Sequence, residues 1–177
     1  MKALAALVLA STALLVASAS AAPAVKNIAP CEKAIAGHGS ADWRSSSLDA
    51  GPVGVGPHPL SEMTRADNGL VTKMPMLVEG RAPGTVTVSV PPALRGRVFI
   101  LYGNALDRQG NPSTSFHDTR GYEETEFQLC GNKPRTIWPG AIRVRGMPPV
   151  RLLVFAEGRS EPATLRLGRP KILPPRR

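Results

Sequence analysis

Apolar and polar positions alternate with a period of two along much of the chain, and the clearest stretch is 84–102. Val86, Val88 and Val90 alternate with Thr85, Thr87 and Ser89, which predicts a strand with one buried and one wet face. Pro91-Pro92 ends that run. After a short Leu-Arg-Gly link, residues 98–102 (Val-Phe-Ile-Leu-Tyr) are apolar on both faces, as expected of a central strand. The two runs are expected to pair as a hairpin against which the other strands are laid.

The same pattern recurs on either side. Trp43 opens a run to residue 48, and in 71–79 Met74, Met76 and Val78 fall opposite Lys73, Leu77 and Glu79, with Pro75 marking an edge or a bulge. In 123–130, Thr125, Phe127 and Leu129 share one side, and Glu124, Glu126 and Gln128 the other. Runs at 137–144, 150–157 and 163–167 follow, separated by turns of hairpin length. About eight short strands at regular spacing predict an all-β fold, an antiparallel β-sandwich of immunoglobulin-like or jelly-roll-like type. No 20–50-residue repeat occurs, which argues against a propeller or a solenoid.

The N-terminus follows a different rule. Lys2, an apolar run over 3–17 and small residues around 17–21 make a helical secretory signal peptide, cleaved near residues 19–24. The apolar run is shorter than the ~20 residues of a membrane span. The expected layout is a signal peptide at 1–22, a flexible leader at 23–40, a β-sandwich domain at 41–168 and a frayed C-terminal tail at 169–177. Such a chain is exported, to the cell envelope or beyond, with no transmembrane segment left after cleavage.

Charge changes the picture at one end. The formal net charge is +9, and residues 141–177 carry nine bases against two acids. Arg143, Arg145, Arg151 and Arg166 are read as outward positions of successive C-terminal strands, a basic stripe suited to anionic cell-envelope polymers. Specific nucleic-acid recognition would call for interleaved aromatics or a groove-filling element, and neither is visible in the sequence.

One further pattern has a counterpart elsewhere. An early Trp43 is followed by Gly-Pro-Val at 51–53, Thr-Val-Thr-Val-Ser-Val-Pro at 85–91 and Val-Phe-Ile-Leu-Tyr at 98–102. A polar loop, Phe127-x-x-Cys130 and Trp138-Pro-Gly-Ala complete the series. This order is similar to that of a group of small secreted β-sandwich proteins of unknown function from high-G+C bacteria. The likeness spans roughly residues 40–168, implies a sandwich and brings no catalytic residue with it. Where that group carries further cysteines in its last strands, this chain has Met147-Pro148-Pro149-Val150.

Candidate chemistry is sparse. Two cysteines in an exported chain allow one pairing, Cys31 with Cys130, which an oxidising compartment favours. His38, His58 and His117 lie in Gly-His-Gly-Ser, between prolines and beside Asp118, without a Gly-x-Ser-x-Gly elbow or metal-ligand spacing. Ser40 or Ser115 with His117 and Asp118 is the nearest approach to a hydrolytic relay. Asn104, Asp107, Asn111 and Asp118 offer oxygens for calcium, but Arg108 interrupts them. Trp43, Tyr102, Tyr122 and Trp138 are candidates for ring stacking on a ligand, although aromatics so placed are usually core. The expectation is a non-enzymatic secreted protein with no catalytic residue, metal or cofactor, possessing a basic C-terminal face for anionic polymers. The alternative is an extracellular hydrolase or metal-dependent enzyme using the 103–122 loop.

Overall fold

The computed structural model describes residues 24–34, 48–80, 84–103, 120–131 and 135–172. They form an all-β fold of thirteen strands among the described residues. One sheet has five strands in the order β1-β9-β7-β12-β13, where β1 is Lys26–Ala29, β7 Thr85–Ser89, β9 Glu124–Gln128, β12 Val150–Ala156 and β13 Ala163–Gly168. A second, ordered β10-β6-β3-β2, combines Arg135–Trp138, Met76–Glu79, Val53–Val55 and Leu48–Ala50. A third, ordered β4-β5-β11-β8, combines Thr64–Ala66, Gly69–Lys73, Gly140–Val144 and Val98–Tyr102.

The second and third sheets are two halves of one ribbon. Arg135 lies opposite Glu79 and Trp138 opposite Met76, while Ala141 lies opposite Lys73 and Val144 opposite Leu70. The register is unchanged across the gap, so Pro139 falls opposite Pro75. Neither proline has an N–H to donate, and the ladder is interrupted where it has least to lose. The Met74 N–H still bridges the gap to the Gly140 carbonyl at 2.9 Å. This split is one reason the strands outnumber the eight of the sequence pattern; short pairings among the Gly/Pro-rich residues 48–66 and in the leader supply the others.

All three sheets contribute to a single apolar cluster. Val86, Val88 and Val90 belong to it together with Val53, Met76 and Val78 of the second sheet and Ile100, Ile142 and Val144 of the third. The expected buried face holds, with all three valines buried; on the other face Thr85 is exposed and Thr87 half-buried, but Ser89, expected to be wet, is buried at the end of the strand. The expected hairpin does not form. β7 pairs with β9 and β12, whereas β8 pairs with β11. Pro92–Leu94 form a 3-10 turn, and Gly96 takes a left-handed φ of +71°, carrying the chain from one sheet to another. The buried Glu123 carboxylate holds that crossover by accepting the Gly96 N–H at 2.6 Å.

Within the leader, residues 26–33 form a strand and a 3-10 turn. β1 lies parallel to β9, and Cys31, in the 3-10 turn that follows it, is disulfide-bonded to Cys130, 99 residues away with Cα atoms 5.5 Å apart. The Asn27 side chain donates to the Tyr102 carbonyl at 2.6 Å, so this strand also seams the five-stranded sheet to β8. At the other end, Lys171 donates its N–H to Leu60 O and accepts from Met63 N–H, so residues 170–172 dock rather than fray. The expected strand from Trp43 lies outside the described residues except for Leu48. Among the described residues, no helix is long and apolar enough to cross a membrane.

Candidate functional site

The four arginines singled out by sequence do not form one stripe. β11 and β12 are in different sheets, so Arg143 and Arg145 are separated from Arg151 and Arg166. Arg143 is not an outward residue: it is 2% exposed. Its strand lies between β5 and β8, and its second face is covered by the segment returning at 120–122. There the guanidinium donates to the Arg120 carbonyl at 2.6 Å and lies over the Phe99 ring, 5.1 Å from its centroid. Gly121 is obligatory beneath it, since a Cβ there would come within 2.9 Å of Nη2. Arg143 is thus a structural clamp, out of reach of any polymer. Arg145 is exposed and stacks on the same ring at 4.9 Å, its polar atoms turned to the Asn68 and Gly96 carbonyls.

Arg151 and Arg166 remain together. They are directly opposite partners in the β12–β13 ladder, both exposed, because Leu152 and Leu165 take the inward phase. Like charges facing each other across strands destabilise a sheet by roughly 0.2–1 kcal/mol. Both line a cleft of about 470 Å³ whose other walls include Leu94, Pro149, Val150 and Gly168. Beyond Gly168 a second cleft of about 440 Å³ is lined by His58, Ser61, Arg169 and Lys171. Gly168 belongs to both, with a left-handed φ of +87° and open space where a Cβ would stand. No carboxylate among the described residues lines either cleft. Two adjoining hollows thus carry four basic side chains with no counter-charge among the described residues that line them.

The remaining candidates separate cleanly. Tyr102 and Trp138 are buried at 1% and Tyr122 at 8%, and the first two join Phe127 in an edge-to-face series with centroids 5.5 Å apart. They are core residues. Burial pushes the Tyr102 hydroxyl far above the usual tyrosine range. His58 is exposed between the second cleft and a third, of about 340 Å³, lined also by Glu62 and Lys73; it is in a left-handed conformation, φ 51°, with its carbonyl accepting the Ser61 N–H. Trp43, His38, Ser40, Ser115, His117, Asp118 and the oxygens at Asn104, Asp107 and Asn111 lie outside the described residues. Among those described, no group of three His, Cys, Asp or Glu side chains is placed to hold a metal ion.

One exposed aromatic escaped the sequence reading. Phe155 is 43% exposed on the outward phase of β12, in line with Arg151 and Leu153. The signal was present as an apolar residue on the phase that solvent occupies, but a run apolar at nearly every position hides its phase. No family model matches the chain, and no curated protein matches it.

Proposed function

We propose that this is an exported, non-enzymatic β-sandwich protein that captures anionic polymers of the cell envelope through a face built from Arg151, Arg166, Arg169 and Lys171. The observation that carries this reading is the Arg151–Arg166 pair, two exposed cations set directly opposite each other in a cleft that no carboxylate among the described residues lines. An anion bridging them turns a repulsive contact into two charge-assisted hydrogen bonds, for which the planar guanidinium fork is well suited. A cleft walled by guanidinium groups and aliphatic carbons supplies charge and contact, and arginine holds its proton throughout the physiological range. Export is supported by the N-terminal sequence and by the disulfide, since such bonds persist in oxidising compartments. The sandwich reading is supported by the cluster shared between the five-stranded sheet and the jointed ribbon facing it.

The test is retention of the full chain on heparin-agarose at low salt. Retention that is lost steeply as salt rises is the expected result. Flow-through at low salt, or retention unchanged by Arg151→Glu with Arg166→Glu, overturns the reading.

A further inference from the structure

We infer that the polymer is an acidic polysaccharide, lying along the outward face of β12 with a sugar ring on Phe155 and its anionic group between Arg151 and Arg166. The inference rests on the proposed capture of anionic polymers and names the class of polymer. It begins with the phase of β12, where Arg151, Leu153 and Phe155 alternate on the outer side while Leu152 and Val154 are buried. Phe155 stands opposite Thr87, which stands opposite Glu126; Leu153 stands opposite Thr164 on the other side. An exposed aromatic ring on an open sheet, flanked by hydroxyls and a carboxylate, offers an apolar face for a sugar's C–H side and hydrogen-bonding groups for its hydroxyls.

Charge decides between polymer classes. The five-stranded sheet carries Glu126 on the same outward face as Phe155, two strands away, about 10 Å, while Glu124 on that face is ion-paired with Lys26 at 2.9 Å. A chain bearing a charge on every unit would set anions on the side of Glu126 as it ran from the arginines past Phe155. A glycan whose charges are spaced by neutral, hydroxyl-bearing rings does not. Arg151 and Phe155 are four residues apart on one strand, about 13 Å, so more than one ring is needed to reach both. The ligand is therefore extended, with the anionic group and the stacked ring on different sugars.

Titrating the full chain with a polysaccharide whose uronates alternate with neutral sugars (hyaluronate) and with linear polyphosphate, charged on every unit, separates the possibilities. Phe155→Ala is expected to weaken hyaluronate binding about five- to tenfold, the effect of leaving one partly exposed ring unpaired. Polyphosphate binding should stay within about twofold, and Phe155→Trp should restore the polysaccharide affinity. Because Phe155 is at the surface, an unchanged melting temperature verifies that the variant is folded. Equal losses for both polymers, or no loss for either, overturn the acidic-polysaccharide assignment and leave polymer capture standing. Failure of the unaltered chain to bind either polymer overturns both.

Discussion

The Tyr102 hydroxyl donates to the Met74 carbonyl, at the point where the ribbon of the second and third sheets is broken by Pro75 and Pro139. The same ring lies across Gly140, its partner in the ladder, and packs edge-on against Phe127. One side chain thus closes the gap that two prolines open, and ties the ribbon to the five-stranded sheet.

Alkaline sensitivity follows from this placement. Burial raises the Tyr102 hydroxyl far above its usual range, so the native state keeps a proton that the unfolded chain releases near pH 10. Stability from this group is complete below about pH 10 and falls above it, by up to about 1.4 kcal/mol per pH unit. Burial also raises Tyr122, partly opposed by the Arg120 charge, so a residual fall persists without Tyr102. In urea titrations, Tyr102→Phe should cost about 1–3 kcal/mol near neutral pH by stranding the Met74 carbonyl. It should then show a shallower decline above pH ~10 than the unaltered protein. Parallel declines would contradict the account.

Gly140 has no special backbone conformation; it is required by contact. A Cβ there would overlap the Tyr102 ring, whereas one at Gly56 meets nothing within 4 Å. Gly140→Ala should cost about 1–3 kcal/mol as overpacking, and Gly56→Ala close to nothing. Chemical denaturation of the two variants side by side checks this, and equal midpoints would refute it.

The disulfide makes the third prediction. Cys31 and Cys130 close a loop of 99 residues and fasten β1 beside β9. Replacing both by Ser should cost about 2–5 kcal/mol, read as a lower urea midpoint. Denatured, unreduced protein should show no free thiol on titration; two free thiols would disprove the bond.

Face assignment in β7 gives the fourth. Val88 is fully buried, and Thr87 is half-buried on the outward side. Val88→Asp should prevent folding, since a buried unpaired charge costs several kcal/mol. Thr87→Asp should cost about 1 kcal/mol or less, the scale of an unfavourable cross-strand charge beside Glu126. Equal losses of native circular dichroism would break the assignment.

These residues also show how much the sequence disclosed. The alternation at Val86, Val88 and Val90 and at Thr125 and Phe127 was legible, because period two records directly which side chains meet the core. The partnering of strands was not. Nothing in 91–97 announces that Glu123, distant in sequence, would hold the Gly96 turn and send β8 to another sheet. The arginines show the same limit. Arg143 and Arg166 look alike in an alternating strand, yet a central strand covered by residues 120–122 buries the first, and the open outward face of the five-stranded sheet exposes the second. Pro75 was visible as an edge or a bulge, whereas Pro139 lay unmarked inside the expected 137–144 run; that the two face each other is a property of register.

The most direct measurement is an equilibrium titration of a fluorescently labelled heparin oligosaccharide against the unaltered protein, Arg151→Ala/Arg166→Ala and Arg159→Ala. Arg159 is an exposed arginine in the turn at the opposite end of the β12–β13 pair, outside both basic clefts. The account predicts salt-dependent binding that drops at least about tenfold in the double variant and stays within about twofold in Arg159→Ala. The same modest loss in both variants would mean diffuse charge rather than a cleft, and would contradict it.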